Sequence, residues 1–514
     1  MRADLAAVLE ARAVRMDEAR PEAVRKRRGR NMRTARENIA AVCDPGTFQE
    51  YGGLVVAPQR KRRTMDDLIR NTPADGLVVG VGSVNGELFG PQKSRAVVLA
   101  YDGTVLAGTQ GHEGHRKDSR ILQLAAKLRL PVVFFAEGGG GRPGDTEYRG
   151  ELDSFHRLPA LSGEVPLVGI AAGYCFAGNA AFLGSCDVII ATETSNIGMG
   201  GPAMIEGGGL GVYAPEEIGP APMHYRTGVV DILVKDEAEA AESAKRYLAY
   251  FQGDIAPQPP KDQRLLRGLV PEDRRRAYDV RPVIETLADE GSVTELRAGY
   301  GHGLITALIR LDGRAVGVLA NNPMHLAGAV DGDGSDKGAR FLALCDNFGL
   351  PVLFLCDTPG ILVGPEAEKT ALVRRSSRFL VASAKLRVPA FTVILRKFYG
   401  IGMLAMMMGA LKAPIFNVSW PTGEFGSMGL EGAVRLAYRK EMEAIEEPAE
   451  RKRFYDEHVE QMYQAGKALR RARAYEFDDV IDPADTRQWI IHGLNSSAAM
   501  QSSNVSRRPH LSPW

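Results

Sequence analysis

Cysteine is scarce and unpatterned: Cys43, Cys175, Cys186, Cys345 and Cys356 are scattered along 514 residues with no CxxC pair. An odd, dispersed set argues against a structural zinc or a disulfide framework and favours a reducing, cytoplasmic setting. Charge of one sign is also missing. Lys+Arg 64 against Asp+Glu 63 leaves a formal net charge of +1, so no global field draws the chain to nucleic acid or a membrane surface. The basic runs RKRRGR (Arg25 to Arg30) and QRKRR (up to Arg63) lack interleaved aromatics and have acidic neighbours. They read as solvated helix faces or subunit contacts, and secondarily as a hold on the phosphates of a nucleotide-bearing substrate. The stretch Val165 to Cys186 is uncharged and long enough to span a bilayer. Pro166, four glycines, Asn179 and Ser185 within it make a buried strand, turn and helix the better reading. The N-terminus alternates charge at helical spacing without an apolar segment, so it does not read as a signal peptide. GxSxG, HExxH and Walker A are missing, and GGLGV near Gly208 has no strand before it. His112 and His115 sit in what reads as a glycine-rich loop before a helix. No third ligand has suitable spacing, and no metal site is expected.

What is abundant is glycine, 57 of 514 residues, or about 11% against roughly 7% on average. Its placement follows an internal duplication. AGTQGHEGHRKDSRILQLAAKLRLPVVFFAEGGGG, from Ala107, matches AGAVDGDGSDKGARFLALCDNFGLPVLFLCDTPG, from Ala327. Lys117 and Lys337, Arg120 and Arg340, Leu122 and Leu342, Pro131 and Pro351, and Glu137 and Asp357 share one offset of 220 residues. PLVGIAAGYCFAGNA at Pro166 and PAFTVILRKFYGIGM at Pro389 match at nearly the same offset. Each copy reads as an amphipathic helix, a Leu-Pro break and a short apolar strand (Val132 to Ala136, Val352 to Cys356) ending in an acid and a Gly-rich loop. A second apolar strand follows (Leu167 to Ala171, Phe391 to Leu395), with another Gly-rich turn entering a helix. Strands alternating with helices imply an α/β fold with parallel βαβ units.

Ligands of parallel sheets sit beyond the carboxyl ends of the strands. Gly-rich turns there let a ligand oxygen reach backbone N–H groups. Two converging turns would make an oxyanion hole, in which one donor is worth roughly 2.7–4 kcal/mol. Glu137 and Asp357, at the strand ends, read equally well as general acids or bases and as caps of the following loops. The run Met403, Leu404 and Met406 to Met408 reads as a packed core helix whose first residues could line an acyl pocket.

With ARENIAAVCDPGTFQEYG at Ala35, FLCDTPGILVGPEAE at Phe354, RKFYGIGM at Arg396, WPTGEFGSMGLEGAV at Trp420 and DDVIDPADTR at Asp478, the chain resembles the carboxyltransferase (β) subunits of biotin-dependent acyl-CoA carboxylases, in the crotonase superfamily. The resemblance covers roughly residues 30 to 492. It implies two tandem homologous crotonase-like ββα-superhelix domains behind a helical N-terminal extension. It also implies a homo-oligomer, hexameric or dimer-based, acting in fatty acid metabolism with separate biotin carboxylase and biotin carboxyl carrier partners. Carboxybiotin on the carrier releases CO2, its ureido group then removes the α-proton of an acyl-CoA, and the thioester enolate attacks the CO2. The N-terminal domain serves the acyl-CoA, and the C-terminal domain of a neighbouring subunit serves biotin. Carried over by position, Gly140, Gly141, Ala177 and Gly178 would hold the thioester oxygen, and Gly360, Ile401 and Gly402 the biotin oxygen. Gly139, Arg142, Tyr399, Met403 and Leu404 would complete the binding surfaces. Two departures stand out: the usual CAGGA reads CFAGN, and the usual YGGA reads YGIG. Isoleucine at a donor position tolerates fewer backbone conformations than glycine. Leu404, where the family often has a polar residue, suggests a longer or more apolar acyl chain.

The domains expected are a helical extension over 1–70, an acyl-CoA domain over 71–255, a linker over 256–283, a biotin domain over 284–494 and a disordered tail over 495–514. The alternatives are the carboxyltransferase subunit of a biotin-dependent acyl-CoA decarboxylase, a crotonase-type hydratase or thioesterase, and a non-catalytic carboxylase scaffold.

Overall fold

A computed structural model describes residues 1–142, 145, 153–501 and 511–513. The chain forms two units, the first covering Met1–Gly253 and the second opening at Asp254.

In the first unit, an antiparallel pair, Leu77–Ser83 and Arg95–Tyr101, leads into the parallel strands Val132–Gly138, Leu167–Phe176 and Val188–Thr192. Ile232–Val234 closes one edge and Gln49–Tyr51 the other. In the second unit, Leu304–Leu311 and Arg314–Asn321 are antiparallel, and Val352–Thr358, Ala390–Tyr399 and Phe416–Ser419 follow in parallel. Thr294–Leu296 and Asp479–Val480 are its edges. The strand order is the same in both, so the duplication read from sequence is a duplication of topology. The central strands are continuous apolar runs because both faces are covered; Leu77–Ser83 and Val352–Thr358 are buried throughout.

Each copy carries a 17-residue helix, His112–Leu128 or Gly332–Phe348, ahead of its second parallel partner. Both helices end on a left-handed residue, Arg129 (φ 52°) or Gly349 (φ 74°), which turns the chain into the Leu-Pro break. His112 and His115 therefore belong to the first turn of a helix rather than to a loop. On those helices Lys117 and Lys337 are equivalent and buried. Lys117 Nζ donates to the carbonyls of Ala74 (2.9 Å) and Leu77, and Lys337 Nζ to that of Tyr300 (2.9 Å). Burial pulls these ammonium groups down to about 8 and about 7.

The N-terminal segment is helical over Ala3–Ala13, Pro21–Arg28, Ala35–Val42 and Met65–Asn71. Thr34 and Glu37 form a reciprocal capping box on the third of these. The uncharged stretch at 165–186 is a strand, a turn and the helix Gly178–Gly184, and no described helix is long and apolar enough to cross a membrane. Within the expected linker, Leu266, Val270, Tyr278 and Val280 are buried in the core of the second unit. The helix Thr486–Ser496 runs into the start of the expected tail, and Ala498–Gln501 within the tail is helical; residues 502–510 and 514 lie outside the described residues.

Candidate active site

The long strand of each copy outruns its neighbour, and its outer end pairs with a second short strand. Tyr174–Phe176 pairs with Asn196–Gly198, and Lys397–Tyr399 with Glu424–Gly426. Each strand then turns sharply into a short helix. In the first unit the turn is at Ala177 (φ 52°, ψ −121°) before Gly178–Gly184; in the second it is at Gly400 (φ 61°), which opens Gly400–Ala405. Ile401 thus stands where Gly178 stands, and Gly402 where Asn179 stands. The positive φ that would strain an isoleucine falls on Gly400, and Ile401 is free of it.

The opposing loop comes from the preceding strand. Gly140 approaches so closely that a Cβ there would come within 2.5 Å of Ala177 Cβ and 3.1 Å of Gly178 N. A Cβ on Gly402 would come within 2.6 Å of the Gly360 carbonyl carbon. The turns therefore converge in both units, as expected, but not every N–H is free. Ala177 donates to Gly198 O (2.9 Å), Gly140 to Asn179 Oδ1 (3.0 Å), and Gly360 to Thr358 Oγ1 (3.1 Å). These three were expected as donors to a ligand and are used internally instead. Among the described residues, the N–H groups at these turns with no loop or cap partner include those of Gly141 and Gly178 in the first unit, and of Ile361, Ile401 and Gly402 in the second. The clamp that leaves 141 and 361 free is the same in each. Gln110 binds Gly140 O and the Arg142 N–H, and Val330 binds Gly360 O and the Leu362 N–H. Ile361 was missed from sequence, although the offset of 220 places it opposite Gly141.

The side chains expected to bind ligand divide. Gly139 is exposed at the mouth of the first pocket, and Met403 and Leu404 are half-buried on the second unit's short helix. Arg142 is committed elsewhere: its buried guanidinium pairs with Asp75 at 2.5 Å and donates to Thr109 O at 3.0 Å. Tyr399 is buried beside Glu424, and burial with the neighbouring carboxylate pushes its hydroxyl up. Glu137 forms a two-pronged pair with Arg27 (Nη2 to Oε2, 2.7 Å), and Asp357 pairs with Arg396 (3.1 Å) and accepts the Lys397 N–H (3.1 Å). Neither acid caps a loop. His115 Nδ1 lies 2.9 Å from Ser154 Oγ, and burial pulls its imidazole down to about 4. Among the described residues no three His, Cys, Asp or Glu side chains are grouped to hold a metal ion.

Beside Ala107, Gly138, Gly139 and Phe176 a cleft of about 920 Å³ opens against the N-terminal helices. Arg20 and Arg27 on its wall are ion-paired with Asp102 and Glu137. Lys26, Arg30 and Arg70 line it with no ion-pair partner among the described residues.

The family of the chain gives the class of enzyme, a carboxyltransferase, and the duplicated α/β unit with its converging glycine turns accords with it. The chain belongs to the carboxyl transferase domain family, whose model matches residues 26–510. It is 33% identical over 510 residues to the methylmalonyl-CoA carboxyltransferase 12S subunit of Propionibacterium freudenreichii subsp. shermanii, covering 94% of this chain and 92% of that one. Among solved structures, a single-chain, multi-domain long-chain acyl-CoA carboxylase matches with a TM-score of 0.92 at 56% identity. That match covers 96% of this chain and 49% of the other, so this chain spans about half its length. The transcarboxylase 12S hexamer with methylmalonyl-CoA and methylmalonic acid bound matches with a TM-score of 0.85 at 30% identity, covering 99% and 98%.

Proposed function

We propose that the first unit's pocket takes the thioester of an acyl-CoA, that the second unit's takes the ureido group of biotin on a separate carrier, and that a carboxyl group is transferred between them. The observation that carries this reading is the pattern of spent and unspent N–H groups. In each copy one glycine N–H is satisfied by a side chain, that of Asn179 or Thr358, and N–H donors on both converging turns are left open. Unpaired N–H groups suit an oxygen that gains negative charge during reaction. Gly141 and Gly178 would hold the thioester oxygen as the α-carbon loses its proton and attacks CO2 to form the new carbon–carbon bond. Biotin is the ligand read for the second unit, because the N–H groups of Ile361, Ile401 and Gly402 would suit a ureido oxygen. When bound, carboxybiotin supplies the CO2 and then the base for the α-proton. Lys26, Arg30 and Arg70 suit the phosphates of coenzyme A, and the basic run that holds Lys26 and Arg30 finds its use there.

The same geometry serves carboxylation and its reverse. Biotin carboxylase and carrier partners, and assembly into a homo-oligomer, follow from the family and belong to this proposal. A hydratase would need a free side-chain acid or base; Glu137 and Asp357, the nearest acids by sequence, are both held in ion pairs. The test is release of CO2 from methylmalonyl-CoA or malonyl-CoA with and without free biotin. Biotin-dependent release is expected. Water addition to crotonyl-CoA without biotin, or no turnover of any carboxylated acyl-CoA, would contradict the proposal.

A further inference from the structure

Beyond its backbone clamp, Gln110 reaches the other lip of the first pocket with its side chain. That side chain is buried and lies against Gly178, where a Cβ would come within 2.0 Å of Gln110 Oε1. Its Nε2 is 3.3 Å from the Tyr101 hydroxyl, which is 2.9 Å from Asp118 Oδ2. Tyr101 and Asp118 are each 2% exposed. The second unit keeps the backbone clamp, with Val330 N–H to Gly360 O at 3.0 Å and Leu362 N–H to Val330 O at 2.9 Å. At the relay positions, however, it has Val330, Asn321 and Gly338. The relay belongs to the first pocket alone.

A tyrosine hydroxyl has one proton to give, so the protonation of Asp118 biases the direction of the chain. With Asp118 ionised, Tyr101 donates to the carboxylate, Gln110 must donate Nε2 to Tyr101, and Oε1 is left against Gly178. With Asp118 protonated, its O–H can donate to the Tyr101 oxygen, which releases the Tyr101 proton to the Gln110 carboxamide oxygen. The amide turns over and Nε2 lies against Gly178.

We propose that Gln110 is a third, switchable donor of the first pocket, with Tyr101 and Asp118 as positioning residues that turn its amide toward the thioester oxygen when Asp118 carries a proton. The inference rests on the assignment of this pocket to the acyl-CoA. An amide oxygen opposes a developing oxyanion, and an amide N–H stabilises it. Burial pushes the Asp118 carboxyl up to about 7, against the opposing pull of the Tyr101 hydrogen bond and of Lys117, so Asp118 is poised to change its protonation near neutrality. Lys117 is in turn influenced by Glu50, Asp75 and Arg36, and Asp75 is held by Arg142. The proton is exchanged with solvent, and no bond other than O–H and hydrogen bonds is made or broken.

The test is kcat for methylmalonyl-CoA decarboxylation with free biotin, from about pH 5.5 to about pH 9, for the wild type, Gln110→Met and Tyr101→Phe. The wild-type rate should fall through one ionisation on the alkaline side. Both variants should be about ten-fold or more slower at low pH and should lack that limb. Parallel profiles, with an unchanged rate or one lowered equally at every pH, would overturn the switch. If Tyr101→Phe does not fold, Gln110→Met decides alone, since Val330 shows that the clamp accepts an apolar side chain. An inactive wild type would instead overturn the functional reading, and this inference with it.

Discussion

Asn179 Oδ1 accepts the Gly140 N–H at 3.0 Å, while Asn179 Nδ2 donates to Glu137 O at 2.8 Å. One buried carboxamide thus pins the loop over the first pocket to the helix beneath it. In the second unit the corresponding residue is Gly402, which has no room for a side chain, and Thr358 satisfies Gly360 from within the loop. The asparagine that breaks the family pattern is therefore a brace. Asn179→Ala should orphan a buried donor and a buried acceptor at a cost of about 1–3 kcal/mol. Thermal melting should show the loss, and turnover should fall with it as Gly141 loses its fixed position.

Ala177 adopts φ 52°, ψ −121°, a conformation that normally requires glycine and costs of order 1–3 kcal/mol in other residues. Its counterpart is Gly400. Ala177→Gly should therefore stabilise the fold by about 1 kcal/mol, after glycine's own entropy cost of about 0.5–1 kcal/mol. The midpoint of denaturant unfolding checks this.

Asp118 binds its proton more tightly folded than unfolded, because burial raises it from 3.8 to about 7. Its contribution to stability is complete below about pH 4 and is lost as pH rises through about 7. Asp118→Asn should escape that loss. The stability of the variant relative to wild type should improve from pH 4 to pH 7 in denaturant titrations at fixed salt.

Among the described residues, Lys26, Arg30 and Arg70 have no ion-pair partner. Reversing two of them, as in Lys26→Glu with Arg30→Glu, should weaken acyl-CoA binding about ten-fold or more and flatten the rise of KM with salt, because the attraction that salt screens is gone. A pantetheine thioester, which lacks the nucleotide phosphates, should bind both forms alike, and paired titrations of the two ligands check this.

The duplication, the strand ends and the converging glycine turns were legible because they are written as local patterns repeated at one offset. Which N–H groups are free was not, because that depends on side chains arriving from elsewhere. Asn179 reaches back to Gly140, and Arg142 is taken by Asp75, 67 residues earlier. Glu137 is taken by Arg27, 110 residues away on an N-terminal helix, which sequence marked only as part of a basic run. The isoleucine flagged as a departure carries no backbone strain: the demanding conformation sits one residue earlier, on Gly400. Ile361 could have been found by carrying Gly141 forward through the repeat.

The central claim is that the two pockets have different ligands. It is tested most directly by calorimetric titration of propionyl-CoA into Gly178→Val and Ile401→Pro, alongside biotin-dependent decarboxylation of methylmalonyl-CoA by both. Valine at 178 would collide with Gln110 and Phe155, whereas proline at 401 removes one unpaired N–H in the first turn of a helix, where it is tolerated. Turnover should fall about 10²–10³-fold in both, with propionyl-CoA binding lost in Gly178→Val and unchanged in Ile401→Pro. Loss of propionyl-CoA binding in Ile401→Pro, with binding retained in Gly178→Val, would contradict the assignment.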